Sequence, residues 1–178
     1  MVLGGSNGAQ RLDKIMHSSL RSLINKQKDI HVLHQVGKGN EDIYQDYTES
    51  LKKRIRTTRF ISPLAPAIAA ADLIVTRAGA TTIAEIAALS KSAIVVPHPE
   101  LTGGHQLQNA ASLSVANSAL VIDEKQALAD RRVMSSALSK LLDSKAVRAE
   151  LGRNLHEQLP KDATKKISDL LIRVGKGK

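Results

Sequence analysis

Short β-rich runs alternate with helical stretches along the whole chain. Met1–Gly5 reads as a brief strand opening into Gly-Gly-Ser-Asn-Gly, followed by a helix from about Ala9 to Asn25. His31–Val36 is the next strand, then a Gly-Lys-Gly turn and a polar helix over Glu41–Arg54. Thr58–Ile61 reads as a strand, Leu64–Ala71 as a short helix and Asp72–Thr76 as another β-rich run. A helix is predicted from Thr82 to Leu89, a strand at Ala93–Pro97, a helix at Gln106–Ala116 and a final strand at Ala119–Ile122. Beyond Glu124 the pattern is helical, with breaks near Asp143–Ser144 and at Pro160.

Such alternation implies repeated βα units, a mostly parallel sheet and helices on both faces. With right-handed crossovers this gives a Rossmann-like three-layer α/β sandwich, read here as one domain over residues 1–178. Ligands of such sheets bind beyond the carboxyl ends of the strands, so the loops that follow the strands are where chemistry is sought. The first strand is shorter than the usual five or so residues. That reads as a chain beginning inside a larger architecture.

Composition narrows the classes. Of 178 residues, 2% are aromatic, so the core must be aliphatic, and the stacking platforms that single-stranded nucleic-acid binders use are scarce. The absence of cysteine removes disulfides, thiolate metal sites and cysteine nucleophiles, and suits a reducing cytoplasm. No apolar run approaches the roughly 20 residues that span a bilayer, and nothing at the start reads as a signal peptide, so a soluble protein is expected. The net charge of +9 is compatible with a solvated face, an anionic surface or partner, or nucleic acid.

Three loops are suited to chemistry. Gly4-Gly5-Ser6-Asn7-Gly8-Ala9 joins the first strand to the first helix; glycines permit close approach, and helix-start N–H groups favour anions. It is neither a dinucleotide fingerprint nor a P-loop, and a plain tight turn is the alternative. Thr76 to Glu85 turns at Gly79 into a helix where Thr81 or Thr82 can donate to phosphate and Glu85 can accept from ribose hydroxyls. Thr82-x-x-Glu85 equally fits a capping box, in which Glu85 serves its own helix. The third loop, Pro97 to Ala110, is long and polar, with Gln106 and Asn109 on one helical face and His105 beside them. His98, between two prolines, reads as structural. No metal-ligand set and no catalytic constellation stands out, so no catalytic residue is assigned.

Six segments in order carry a resemblance: Gly4 to Ala9, Gln35-Val36-Gly37-Lys38-Gly39, Ala70-Ala71-Asp72-Leu73, Arg77 to Glu85, Pro97-His98-Pro99, and His105 to Ala110. Together they resemble the C-terminal, donor-binding domain of the MurG family of UDP-N-acetylglucosamine transferases, within glycosyltransferase family 28. The resemblance implies the C-terminal half of a GT-B fold and a UDP-GlcNAc donor, with no further cofactor and no metal. It places Ser6 on the pyrophosphate, Ile61 on uracil through its backbone, and Ala80, Thr81, Thr82, Ile83, Ala84 and Glu85 around the donor. Thr82 falls near phosphate and Glu85 on the ribose. Gln106 falls on the sugar, and Gly5, Asn7, Gly8, Gly79, His105 and Asn109 are lesser candidates.

The chain departs from the family's usual pattern at Asn7, at Thr81 and over Thr102-Gly103-Gly104, the last leaving sugar specificity open. The partners implied are an acceptor-binding N-terminal domain or separate subunit and a lipid-linked acceptor at the inner face of the cell membrane. The expected activity is GlcNAc transfer in peptidoglycan synthesis, from lipid I to lipid II, with negligible turnover by this half alone. Rival readings are another GT-B transferase, such as a split lipid-linked GlcNAc-transferase or a glycolipid synthase, and a non-catalytic binder of nucleic acid or an anionic surface.

Overall fold

The computed structural model describes residues 1–5, 9–99, 104–160 and 162–176. Its strands are β1 (Val2–Leu3), β2 (Val32–Gln35), β3 (Ile55–Thr58), β4 (Ile74–Thr76), β5 (Ala93–Val95) and β6 (Leu120–Val121). They form one sheet in the order β3-β2-β1-β4-β5-β6, every neighbouring pair parallel. The helices are α1 (Gln10–Lys26), α2 (Glu49–Lys52), α3 (Leu64–Ala70), α4 (Ala80–Ala88), α5 (His105–Val115), α6 (Glu124–Ala129), α7 (Arg131–Leu142), α8 (Lys145–Glu157) and α9 (Ala163–Gly175). This is the doubly wound order, in which the winding reverses between β1 and β4. The Rossmann-like α/β expectation is met.

A parallel sheet covered on both faces needs central strands that are largely apolar on both sides, and β1, β4 and β5 meet this. Val2, Val75 and Ile94 point into a core with Leu12, Ile15, Met16 and Leu20 of α1 and Met134, Leu138 and Leu141 of α7. Leu3, Ile74, Ala93 and Val95 point the other way, onto Ile68 of α3, Ile86 and Ala87 of α4, and Ala110 and Leu113 of α5. The period-two alternation of side chains in a strand thus feeds two separate cores from one sheet. Helix α8 closes the rim, placing Leu151 in the first core and Leu155 in the second.

Several boundaries depart from the sequence reading. The polar helix expected over Glu41–Arg54 is a series of tight turns ending in the short α2. Asn40, Ile43, Gln45 and Tyr47 donate their N–H groups three residues back, to Gly37, Asn40, Asp42 and Tyr44. Tertiary contacts win over helical propensity here, because Tyr44 and Tyr47 are buried against the rings of His17 and His34. The strand expected at Thr58–Ile61 lies three residues earlier, with Val32↔Ile55 through Gln35↔Thr58 in register. Arg54 fixes its start, donating to the carbonyls of Ile24, Gln27 and Lys28. Ile61 therefore leaves the sheet and lies in the loop beyond it. The third departure, at the start of α4, bears on the site. In the C-terminal helical region, Asp130 adds a break between α6 and α7, its side chain accepting from Arg132 N.

Candidate functional site

Because Leu3 pairs with Thr76, β1 and β4 end side by side, and the turns at Gly4–Gly5 and Arg77–Gly79 leave the sheet together. A crevice at the carboxyl end, at the point where winding reverses, follows from topology alone. The sequence of the first turn has a local reason to favour glycine: Gly5 has a φ of +78°, which side-chain-bearing residues rarely adopt. Ser6, named above as a pyrophosphate contact, and the lesser candidates Asn7 and Gly8 lie outside the described residues.

Helix α4 starts at Ala80 rather than Thr82, with Gly79 as its N-cap and no side chain capping it. Its first bond runs from Ile83 N to Gly79 O at 3.0 Å. Thr82 is therefore the third residue of the helix, and the Thr82–Glu85 capping box does not form. The N–H groups of Ala80, Thr81 and Thr82 lie in the first turn, before the helix ladder begins. Ile83, Ile86 and Ala87 turn inward. Ala80, Thr81, Ala84 and Glu85 are exposed, and Thr81 and Glu85, four apart, share one face.

The loop after β5 closes the other wall. Gln106, in the first turn of α5, accepts from His98 N at 2.9 Å through Oε1. Asn109 donates through Nδ2 to Ala78 O at 3.0 Å. Gln106, expected on the sugar, and Asn109, a lesser candidate, here hold the loops after β4 and β5 in place. That use leaves the Gln106 amide nitrogen and the Asn109 carbonyl oxygen with hydrogen-bonding capacity to spare. His105 is exposed at the start of α5, and Gly104 adopts a φ of +63° just before it. Residues 100–103, the middle of this loop, are outside the described residues.

On the opposite wall, Gln35 joins the turn after β1 to the loop after β3. Its amide donates to Gly5 O at 3.3 Å and Arg59 O at 3.4 Å. Ile61, half-buried, packs on the second core at the end of that loop. Gln35 thus ties Gly5 to the loop that leads to Ile61, and Asn109 ties the turn before Gly79 and α4 to the first turns of α5. Two residues that hold this frame, Gln35 and Arg77, received no role from sequence. Each is a polar side chain at or just past the end of a buried strand, and that placement was the available signal. Arg77 donates to Val96 O at 3.1 Å and is almost wholly buried.

Electrostatics inside the fold centre on Asp13, buried in α1. Burial pushes its carboxyl upward, but bonds from His34 and Asn40 outweigh this and leave it below the ordinary carboxylate range. His34 in turn contacts the Tyr44 hydroxyl at 2.8 Å, and Asn40 reaches Asp13 at 2.8 Å. Gly37 N also points to Asp13, at 3.4 Å. This network sets the Gly37–Gly39 turn after β2. Among the described residues no group of three His, Cys, Asp or Glu side chains is placed to hold a metal ion.

Residues 1–169 match the glycosyltransferase family 28 C-terminal domain. The chain belongs to that family. It is 34% identical over 174 residues to the UDP-N-acetylglucosamine--N-acetylmuramyl-(pentapeptide) pyrophosphoryl-undecaprenol N-acetylglucosamine transferase of Sorangium cellulosum, which covers 96% of this chain and 42% of that protein. The Geobacter sulfurreducens transferase of the same name is 35% identical over 173 residues, covering 97% of this chain and 47% of that protein. Among solved structures, MurG of Acinetobacter baumannii superposes with a TM-score of 0.82 at 26% identity, covering 97% of this chain and 48% of that one. A kitacinnamycin glycotransferase, at 22% identity and TM-score 0.69 over 97% of this chain and 42% of its own, shares the fold. This family 28 domain therefore spans less than half the length of these relatives. It corresponds to the C-terminal half of the GT-B fold. No helix among its described residues is long and apolar enough to cross a membrane.

Proposed function

We propose that this chain is the UDP-GlcNAc-binding half of an N-acetylglucosaminyltransferase acting on a lipid-linked acceptor, the step from lipid I to lipid II. The observation that carries the reading is the α4 N-terminus, uncapped by any side chain and set at the crevice between β1 and β4 beside Gly4–Gly5. A helix start without a capping side chain is a favourable seat for a diphosphate. Glu85 and Thr81 share the exposed face of α4 behind it, suited to two neighbouring ribose hydroxyls. Ile61 sits across the crevice for the base, and Gln106 and Asn109 border it for the sugar. The named transferases of Sorangium and Geobacter support the donor and the acceptor class.

In the proposed reaction an acceptor hydroxyl attacks C1 of GlcNAc with inversion, and the C1–O bond to the diphosphate breaks. The α4 N–H groups stabilise the charge gathering on the departing UDP, which is the role of an electrostatic catalyst. The base that removes the acceptor proton belongs to an acceptor-binding half, either on the same longer chain or separate. Such an enzyme works at the cytoplasmic face of the membrane, docked through that other half.

Calorimetric titration with UDP-GlcNAc tests the reading, with UDP-galactose and ADP-glucose as competitors. Selective binding of UDP-GlcNAc that persists in EDTA is expected. Glu85→Ala removes a charge-assisted hydrogen bond worth about 1.5–3 kcal/mol, and so weakens binding about 10- to 150-fold. Preference for UDP-galactose would transfer the chain to a glycolipid synthase, and no binding of any UDP-sugar by the chain, alone or with an acceptor half supplied, would sink the donor-site reading.

A further inference from the structure

Glu124, the first residue of α6, belongs to no motif and makes no contact proposed above for the donor. It is nonetheless 1% exposed, and a carboxylate that deep must be paired. Its Oε1 lies 2.5 Å from Arg77 Nη2, and its Oε2 accepts from Arg11 Nη1 at 3.2 Å. Helix capping does not explain the burial, because the Asp123 side chain already caps α6 by accepting from Gln126 N at 2.8 Å. The two cations come from the segments that bracket the crevice. Arg77 stands two residues before the N-cap of α4, and Arg11 lies in the first turn of α1, just beyond the glycine turn.

We propose that Glu124 is a positioning residue: its buried carboxylate fixes Arg77, and through it the turn carrying Gly79 and the α4 N-terminus, in the geometry that receives the donor diphosphate. This rests on the donor-binding reading above. Two anions compete for Arg77. A guanidinium two residues from a diphosphate seat is drawn toward the phosphates unless a stronger partner holds it. Glu124 is that partner, directing Nη2 inward while Nη1 donates to Val96 O at 3.1 Å. Arg77 therefore acts as a strut between the loops after β4 and β5, and Asn109 on Ala78 O completes the same frame. Glutamine cannot replace the carboxylate here. Its single acceptor oxygen serves one guanidinium and its amide N–H groups face the other.

Titrations of the wild-type chain and Glu124→Gln with UDP and with uridine test this, after circular dichroism shows the variant folded at the assay temperature. A positional effect falls on the diphosphate: UDP affinity drops about tenfold or more, part of the cost of breaking a buried ion pair, while uridine affinity moves less than about twofold. Unchanged or tighter UDP binding overturns the inference, and so does an equal loss on both probes, which marks general loosening. If the wild type binds neither UDP nor UDP-GlcNAc, with or without an acceptor half, the donor-site reading falls and this falls with it. If Glu124→Gln does not fold, Arg11→Met, which removes the outer partner, carries the test. A selective UDP loss of about threefold is expected there, the scale of a half-exposed pair, and no selective loss overturns the inference.

Discussion

Replacing Gly152 by alanine adds one methyl group to α8, and in an isolated helix that change would stabilise by about 1 kcal/mol. In this fold it destabilises. The added carbon would sit 2.1 Å from Ser90 O and 2.8 Å from Ser90 C, against a floor near 3.0 Å for real contacts. The deficit to the oxygen is 3.0 − 2.1 = 0.9 Å, so helix or turn must move by about 1 Å. Neither yields cheaply. Ser90 already holds a φ of +51°, and its turn is tied by Ser90 N to Ala87 O and Lys91 N to Ile86 O. On the other side, His156 of α8 donates through Nδ1 to Ala87 O at 2.9 Å, and Leu155 is packed in the second core.

Overpacking typically costs about 1–3 kcal/mol, and a clash with backbone belongs at the upper end. Subtracting the helical gain leaves a net loss of about 2 kcal/mol. At about 2–4 °C per kcal/mol for a chain of this size, the thermal midpoint falls by about 4–8 °C. Thermal unfolding followed by far-UV circular dichroism measures it. Gly175→Ala is the control, since nothing lies within 4 Å of its added carbon, and its midpoint should hold or rise slightly. A Gly152→Ala midpoint equal to or above the wild type would refute the close packing of α8 on the α4 turn.

Three further outcomes are expected. Asp13→Asn should lower stability at neutral pH by about 1.5–3 kcal/mol, because it removes the ionised acceptor of the His34 and Asn40 bonds. Since the folded carboxyl titrates below its ordinary 3.8, the wild type holds this stabilisation above that value and loses it as pH falls through the lower, folded pKa. Urea midpoints of wild type and variant should therefore differ at neutral pH and draw together as pH falls below 3.8, and parallel profiles would contradict the assignment. Ending the chain at Pro160 removes α9, none of whose residues is buried, so the urea midpoint should change by less than about 0.5 kcal/mol equivalent. A large loss would place α9 in the core. Gln35→Leu should weaken UDP binding several-fold by releasing Gly5 and Arg59, a loss absent from Gln45→Leu, which is exposed.

What the sequence alone determined is the architecture and where a candidate site is to be sought. Alternating apolar runs and helical stretches require a sheet covered on both faces, and glycine-containing turns after the strands direct the search for a ligand to their carboxyl ends. Both conclusions depend on local periodicity and on the handedness of crossovers, which a chain carries wherever it folds. The order of Gly4 to Ala9, Arg77 to Glu85 and His105 to Ala110 likewise carried the family, which the match over residues 1–169 then showed.

Tertiary structure decided what local propensity leaves degenerate. Glu41–Arg54 has the composition of a polar helix, yet burial of Tyr44 and Tyr47 pulls it into turns. Thr82-x-x-Glu85 has the spacing of a capping box, yet α4 begins at Ala80, so Glu85 is left on the exposed face. Gln106 and Asn109 have the chemistry to read a sugar, and the fold also spends one end of each on neighbouring loops. The pairing of Arg77 with Glu124, 47 positions apart, has no local signature at all. A helix end, a bond partner or an ion pair is set by which distant group arrives first at a buried position, and that competition exists only once the sheet has assembled.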